Sequence, residues 1–375
     1  MENAVKEKTY YYHIDLLRVI LAVIVVFYHI LRSNIIPYVS NPIYETIGYN
    51  MQLSGGAIVQ FFFLFSGFFM YLSFQRNSQK SVFQYTCDRF VRLWPVFIFA
   101  FIAESVTYNN LDWQYILVNG ALLQCTGISF DNTGILWYVS PLFFVSIFYY
   151  AILKNFSYKH SSFIISIISF FAFAFMINYN GGSLNGRQTV FYVINLGLTR
   201  GVAFVGLGIL LCMFHSNLCH IMQDIEFSKS VNNVFFICKT VVEVLAIIFF
   251  YKYFFENMVL RNDIIYVIIF SLFFLSIISN KSPFSIVFNH SFFASWGKYT
   301  YSIYVMQQTC FNILKKTLWN ISTFIDRPWL VLSISTVFCI LIGILVYYLV
   351  EKPCVKLYHK LCDMPRKVST PNAES

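Results

Sequence analysis

Long apolar runs, separated by short polar or glycine-containing turns, recur along the whole chain. Most of them have the roughly 20 residues that a helix needs to cross the hydrocarbon core of a bilayer. The pattern therefore predicts ten membrane-spanning helices. They cover residues 12–32, 56–75, 91–108, 135–153, 161–179, 192–214, 234–255, 263–279, 298–314 and 329–350. An eleventh apolar stretch, Trp113 to Cys125, is short, so we expect it to lie at the membrane interface or to re-enter the membrane.

The composition indicates the same class of protein. Of the 375 residues, 58% are hydrophobic, 20% are aromatic and 11% are charged, and the mean hydropathy is +0.64. A soluble core cannot absorb so many apolar side chains, so we predict an all-α, polytopic integral membrane protein. We expect a single transmembrane domain over residues 1–350, a short basic tail over residues 351–375 and no soluble extracytoplasmic domain. The first apolar run is too long for a typical signal-peptide core, so we expect it to stay in the protein.

The basic residues predict the orientation in the membrane, because cytoplasmic loops are enriched in Lys and Arg. Most of them fall on the same side as the N-terminus, whereas the connections 33–55 and 109–134 contain none. We therefore predict that both termini are cytoplasmic. The net charge of +9 then reflects this bias and an attraction to anionic membrane lipids, and gives no reason to expect nucleic acid as a partner.

The nine cysteines are scattered and include no C-x-x-C pair. This spacing argues against a metal site and against a disulfide framework. The oligomeric state cannot be read from the sequence. We also find no internal repeat of the kind that builds transporters from paired halves.

Two ionisable side chains, Arg18 and His29, lie in the first predicted span, where burial in the membrane costs free energy. Ionisable groups inside a membrane span are functional by default. Eleven residues make three helical turns plus about 20°, so both side chains lie on one face, about 16 Å apart along the axis. Asp15, Ala22 and Val25 share that stripe, and the small Ala22 leaves space for a thin ligand. The alternative for Arg18 is that its long side chain only extends to the membrane surface, and the alternative for His29 is that it is a structural residue at the interface.

A second cationic group lies at the predicted cytoplasmic start of the third span. Arg89 and Arg92 are three residues apart and therefore face the same way on a helix. Arginine binds phosphate in a bidentate manner, so the pair suits a phosphorylated ligand. The alternative is that both arginines only anchor the helix at the membrane surface. Upstream, Gly67 in a Phe-rich run favours close helix packing.

Three further acidic residues fall in or at the end of spans. Glu104 would orient His29, accept a hydrogen bond from the substrate or pair with Arg200; a structural contact with a Tyr is the alternative. Glu243 follows Lys239 by four residues and suggests an ion pair on one helix. Glu351 ends the last span, where we expect a cap or a partner for an arginine.

Several motifs, taken in order, resemble the membrane-bound acyltransferase 3 family over most of the chain. They are Arg18 with ten residues before His29, Ser66-Gly67-Phe68, Arg89-x-x-Arg92-x-x-Pro95, Leu136-Trp137-Tyr138, Arg200 with Phe204 and Gly208, Gly297-Lys298-Tyr299-Thr300-Tyr301-Ser302-Ile303-Tyr304, and Tyr348-Leu349-Val350-Glu351-Lys352-Pro353. The resemblance implies transfer of an acetyl or succinyl group from cytoplasmic acyl-coenzyme A (acyl-CoA) to a hydroxyl of a surface glycan such as O-antigen, capsule or exopolysaccharide. It also implies a bacterial cytoplasmic (inner) membrane, with acetyl-CoA as donor substrate, a glycan or lipid-linked glycan as acceptor and no permanently bound cofactor.

These expectations assign roles to particular residues. We predict His29 and Glu104 for catalysis, Arg18, Arg89 and Arg92 for the CoA phosphates, and Arg200, Trp137 and Tyr138 for substrate binding. The pantetheine arm would lie along the first span, and His29 would act as general base or, in a ping-pong variant, as nucleophile.

Two positions depart from the family pattern. Many members have a Glu shortly after the Trp of the Leu-Trp motif, but no acid follows Trp137 closely, and Gln307 and Gln308 stand where many relatives have a His. Two other functions remain open at this point. They are an exporter or flippase of glycans or lipid-linked sugars, and a non-catalytic partner of a polysaccharide assembly machine.

Overall fold

The computed structural model describes residues 11–32, 55–108, 112–128, 134–222, 225, 228–256, 258–279, 281–317 and 327–363. These residues are almost entirely helical, which confirms the prediction of an all-α membrane protein. The α-helices are α1 (Tyr12–Arg32), α2 (Gly56–Arg76), α3 (Val82–Tyr108), α4 (Trp113–Gly120), α5 (Val139–Asn155), α6 (Tyr158–Tyr179), α7 (Leu196–Ile221), α8 (Lys229–Phe255), α9 (Ile264–Ile277), α10 (Pro283–Phe288), α11 (Ser291–Ala294), α12 (Thr300–Thr317), α13 (Pro328–Val346) and α14 (Lys352–Asp363). Short 3₁₀ turns, Leu136–Tyr138 and Gly297–Tyr299, precede α5 and α12.

Every predicted span falls at least largely on a helix, and eight helices in the described ranges are long and apolar enough to cross a membrane. The other two predicted spans are α9, which has 14 residues, and α12, which carries many polar side chains. The count of ten crossings therefore stays a prediction. The helix in the eleventh stretch, α4, has eight residues. Its length of about 12 Å is much less than the hydrocarbon thickness, as expected for a segment that does not cross as a helix.

Helix α3 begins at Val82, nine residues before the predicted start of the third span. Ser81 and Gln84 explain this start, because the Gln84 amide donates to Ser81 Oγ at 3.1 Å and the Ser81 amide donates to Gln84 Oε1 at 2.9 Å. This reciprocal capping satisfies backbone donors that a helix start leaves open. Arg89 and Arg92 consequently lie two to three turns inside α3 rather than at its first residues.

A small hairpin replaces the predicted beginning of the sixth span. Strands β1 (Thr189–Val190) and β2 (Ile194–Asn195) pair antiparallel, and α7 begins only at Leu196. The Asn195 side chain accepts a hydrogen bond from the Leu198 amide and so caps α7. At the other end of the chain, α13 continues through a π-helical turn, Tyr347–Glu351, into α14, so the predicted tail begins as a helix.

Helices α2 and α7 pack closely in the core, and glycines make that approach possible. A Cβ atom on Gly67 would lie 2.0 Å from the carbonyl oxygen of Val205. On the opposite helix, a Cβ on Gly208 would lie 2.0 Å from the carbonyl oxygen of Leu64. The two backbones therefore touch directly, which confirms the packing role predicted for Gly67.

Glu243 joins helices rather than pairing along its own helix. It accepts hydrogen bonds from Ser276 Oγ at 2.8 Å and from the Phe284 amide at 2.9 Å, at the start of α10. The described side chains form no ion pair between Glu243 and Lys239, so the predicted pair is wrong. Glu351 accepts a hydrogen bond from Ser302 Oγ at 2.7 Å, and the described side chains give it no ion pair with an arginine.

Helix α14 packs against α3, with Tyr358 near Asp88. The start of α1 lies at the same end of the bundle, because Arg18 donates to Thr300 and both residues line one cavity with Asp88. The described N-terminal and C-terminal helices therefore share one end of the bundle. Which side of the membrane this end faces stays a prediction.

Candidate functional site

A cavity of about 440 Å³ opens at the Arg18 end of the bundle. It is enclosed by α1, α2, α3, α5 and α12, and we call it the cationic cavity. Its basic side chains are Arg18, Arg76, Lys80, Arg89 and Arg92. Among the described lining residues only Asp15 and Asp88 carry carboxylates, so this part of the cavity has a surplus of positive charge. The three arginines predicted to bind one ligand are thus brought together.

Local ion pairs neutralise part of that charge. Arg18 donates from Nη1 to Asp15 Oδ1 at 3.0 Å and from Nη2 to Thr300 Oγ1 at 3.2 Å. Lys80 pairs with Asp88. Tyr11 adds no negative charge, because burial raises the pKa of its phenol to about 12 and keeps it protonated. The remaining surplus includes the charges of Arg89 and Arg92, which form no ion pair with a described residue.

Arg89 and Arg92 are the cations best placed to meet a ligand. Arg89 donates from Nη2 to Ser146 Oγ at 3.2 Å, and its buried Nε has no hydrogen-bond partner among the residues that the structure describes. Arg92 lies one turn further along α3 with its side chain open to the cavity, and the described residues give it no ion pair. Two adjacent guanidinium groups with unused donors suit an anion that carries more than one phosphate oxygen.

A second cavity, of about 210 Å³, contains His29. We call it the histidine cavity. The imidazole is half-buried beside the ring of Tyr28, with centroids 4.8 Å apart. The loop before β1 lines the same cavity with Asn185, Gly186, Arg187 and Gln188. The loop 180–191 therefore reaches the His29 site.

Arg200 and Trp137 form a rigid wall of the histidine cavity. The guanidinium of Arg200 donates to the carbonyl oxygens of Gly56 at 3.0 Å and Gly186 at 3.2 Å, and its Cζ lies 5.0 Å from the centroid of the Trp137 ring. Arg200 is only 2% exposed, so these contacts hold a desolvated cation in one orientation. No described residue accepts a hydrogen bond from its Nε.

A family model described as an acyltransferase domain matches residues 11–348, which is most of the chain and includes every lining residue of both cavities. The chain belongs to this acyltransferase 3 family. No curated protein and no solved structure matches it significantly. The protein is therefore a membrane acyltransferase, and the resemblance expected from its motifs is confirmed.

Trp137 and Tyr138 are neighbours in the sequence of the acyltransferase, but they line different cavities. Trp137 faces the histidine cavity and Tyr138 faces the cationic cavity. The 3₁₀ turn that holds both residues therefore lies between the two spaces. Among the described residues, only Tyr304 lines both cavities.

The expected route along α1 is not open in the acyltransferase. Ala22 is 1% exposed and Val25 is fully buried, and neither lines the cationic cavity or the histidine cavity. The space predicted beside Ala22 is thus filled by packed side chains. The cationic cavity instead meets the histidine cavity at Tyr304 of α12.

Glu104 lies apart from the other predicted site residues. It is 8% exposed, its Oε1 has no hydrogen-bond partner among the described residues, and it lines neither cavity. The described side chains form no ion pair between Glu104 and Arg200. Its assignment to catalysis therefore finds no support in the geometry.

Sequence reasoning missed several lining residues. Arg76 and Lys80 were counted only as orientation signals, although both line the cationic cavity. Arg187 also lines the histidine cavity, and it donates to the Gly134 carbonyl at 2.9 Å. The signal was available for Arg76 and Lys80, since they directly follow the Phe-rich motif and precede the Arg89 motif.

Proposed function

We propose that this acyltransferase moves an acetyl group from acetyl-CoA to a hydroxyl of a cell-surface glycan or lipid-linked glycan. The observation that carries the proposal is the division of the site into a cationic cavity and a histidine cavity that meet at one side chain. A phosphorylated donor needs a cationic cavity, whereas a hydroxyl acceptor needs a general base such as a histidine. A succinyl donor would use the same arrangement.

The donor binds in the cationic cavity. Its phosphates contact Arg89 and Arg92, whose unused donors and exposure support this role. Arg18 is already engaged with Asp15 and Thr300, so it holds the cavity wall and adds positive charge nearby. The pantetheine arm then extends past Tyr138 toward Tyr304, where the cavity ends.

The acceptor binds in the histidine cavity. Trp137, with Arg200 fixed against its ring, offers an aromatic surface beside charged and amide donors, a combination that suits a sugar. The loop residues Asn185 and Gln188 supply further hydrogen-bonding groups. His29 lies in the same cavity, within reach of a hydroxyl presented there.

The chemistry is a direct acyl transfer. His29 takes the proton from the acceptor hydroxyl as the oxygen attacks the thioester carbon. The carbon–sulfur bond then breaks, CoA leaves as a thiolate and takes up a proton, and the ester remains on the glycan. In the ping-pong variant the imidazole attacks first and the acyl group passes from His29 to the hydroxyl.

The proposal also includes the cellular setting. The Arg18 end would face the cytoplasm of a bacterium, where acyl-CoA is made, and the histidine cavity would face the outer side of the cytoplasmic membrane. This orientation follows the excess of Lys and Arg in the segments on the side of the N-terminus.

The test uses membranes of a host that makes the protein and radiolabelled acetyl-CoA. We expect label in the glycan fraction with the wild type and a loss of about 10²- to 10⁴-fold with His29→Ala. Label retained on the protein as bound donor should be unchanged. The matched control is His220→Ala, because His220 is exposed and lines neither cavity. Equal transfer by wild type and His29→Ala at equal membrane abundance would contradict the proposal.

A further inference from the structure

The side chain of Tyr304 lies between the cationic cavity and the histidine cavity and separates them. Its side chain is 4% exposed, and its hydroxyl donates to the carbonyl oxygen of Ile135 at 3.0 Å. Its ring packs edge-on against Tyr138, with centroids 5.3 Å apart, and lies 6.4 Å from Phe62. Tyr138 and Phe62 both line the cationic cavity. The three rings form an aromatic collar at the inner end of that cavity.

A donor in the cationic cavity presents its acyl group to this collar before any other part of it. The phosphates are held at the cationic end, and the thioester is at the far end of the extended arm. Within the described residues, Tyr304 alone borders both spaces, so the acyl carbon reaches the histidine cavity by passing its ring. The width that the collar allows then limits the size of the acyl group.

We propose that Tyr304 is the specificity-determining residue for the acyl group and that the collar restricts the enzyme to short-chain acyl-CoA donors. This inference rests on the proposed acyl transfer from CoA. An acetyl group passes with a small displacement of the ring. Each further methylene requires a larger displacement of a side chain that is packed on two rings and held by a hydrogen bond to the backbone.

The histidine cavity supports the same conclusion from the other side. Its volume is about 210 Å³, roughly half that of the cationic cavity, and the acceptor must share it with the incoming acyl group. Its walls include Arg200 and Trp137, which hold each other in place. A long alkyl chain that passed the collar would therefore compete with the acceptor for space.

The experiment compares acetyl-, butyryl- and hexanoyl-CoA on the full chain in membranes. Two quantities are measured for each donor, namely retention by the purified protein and transfer of labelled acyl group to the glycan fraction. The variants are Tyr304→Ala, which removes the ring, and Tyr304→Phe, which keeps the ring and removes the hydrogen bond to Ile135. The matched control is Tyr301→Ala, because Tyr301 donates to the Leu93 carbonyl at 2.6 Å and lines only the cationic cavity.

We expect Tyr304→Ala to raise the ratio of butyryl transfer to acetyl transfer by about tenfold or more, since one methylene in a tight site changes discrimination between substrates by about 10- to 200-fold. Tyr304→Phe should raise the ratio by much less, because it keeps the ring and loses only the hydrogen bond to Ile135, and Tyr301→Ala should keep the wild-type ratio. An unchanged ratio in Tyr304→Ala would overturn the proposal, and so would an equal rise in Tyr301→Ala or in Tyr304→Phe.

The design separates this proposal from the proposed function. If the wild type retains acyl-CoA but transfers nothing, acyl transfer from CoA is refuted, while the retention ratios still show whether Tyr304 limits chain length. If the wild type transfers acetyl but the Tyr304→Ala ratios stay the same, acyl transfer stands and the role of Tyr304 is refuted. If no acyl-CoA is retained at all, both are refuted.

Discussion

The contact between α2 and α7 makes a stability prediction that the backbone geometry determines. In Gly67→Ala the new Cβ would lie 2.0 Å from the carbonyl oxygen of Val205, and real Cβ contacts are essentially never shorter than 3.0 Å. The obstacle is backbone of a helix, so no side chain can rotate away. The two helices must therefore separate locally by about an ångström, which loosens the packing on both sides of the contact.

The magnitude follows from two opposing effects. Alanine improves helix propensity over glycine by about 1 kcal/mol, whereas overpacking of a well-packed core costs about 1–3 kcal/mol or more. A forced separation of two backbones belongs at the upper end, so we expect a net destabilisation of about 2 kcal/mol or more. For a large chain this lowers the apparent melting temperature by about 4 °C.

The assay is the loss of the monodisperse peak in fluorescence-detected size-exclusion chromatography after heating in detergent. The control is Gly120→Ala, whose Cβ would meet Ile98 Cδ1 at an ordinary 3.5 Å. Gly208→Ala should behave like Gly67→Ala, because its Cβ would also lie 2.0 Å from an opposing backbone oxygen. The double variant should cost much less than the sum, since one separation relieves both clashes. Wild-type stability of Gly67→Ala, or full additivity, would refute the reasoning.

Two further predictions concern donor binding and the membrane core. The double variant Arg89→Ala, Arg92→Ala should weaken retention of labelled acetyl-CoA by about 100-fold or more, because a hydrogen bond to a charged group contributes about 1.5–3 kcal/mol. The control is Arg327→Ala, which should retain the donor normally because Arg327 is exposed and lies outside both cavities. If the double variant retained as much acetyl-CoA as the wild type, the phosphate role of the two arginines would be contradicted. Glu243→Ala should lower the apparent melting temperature by about 2–6 °C, because the half-buried Phe284 amide and the buried Ser276 hydroxyl lose their acceptor, at about 1–3 kcal/mol for an unsatisfied group. Glu243→Gln should recover most of the loss, and similar melting curves for both variants would show that the acceptor oxygen is unimportant.

The helical class and most helix centres were predictable from the sequence, because crossing a bilayer demands long apolar runs and those are visible without any partner. The start of α3 was missed for a related reason. Hydropathy detects where the chain meets hydrocarbon, while α3 begins earlier, at the capping pair Ser81 and Gln84. That Ser-x-x-Gln pattern is readable in the sequence and would have placed Arg89 and Arg92 inside the helix.

The site was predictable in part. The periodicity of α1 correctly separated Arg18 from His29, which lie in two different cavities. What periodicity cannot supply is the identity of the neighbouring helix at each level. The space beside Ala22 is filled, and the cavities meet at Tyr304 on α12, nearly 300 residues away in sequence. Glu243 illustrates the same limit, since its partners come from two other segments.

The placement of Arg18 and His29 on the single helix α1 has a consequence for how this chain can change in length. Loops joining separate helices absorb insertions, because their ends are held by the helices themselves. One residue inserted between positions 18 and 29 would instead turn every later side chain of α1 by about 100° and shift it by about 1.5 Å. His29 would leave the histidine cavity while Arg18 stayed in the cationic cavity. The eleven-residue interval is therefore a length standard that tolerates substitution but neither insertion nor deletion. In an insertional scan of α1, insertions between positions 18 and 29 should abolish activity, whereas insertions on either side of this interval should be tolerated.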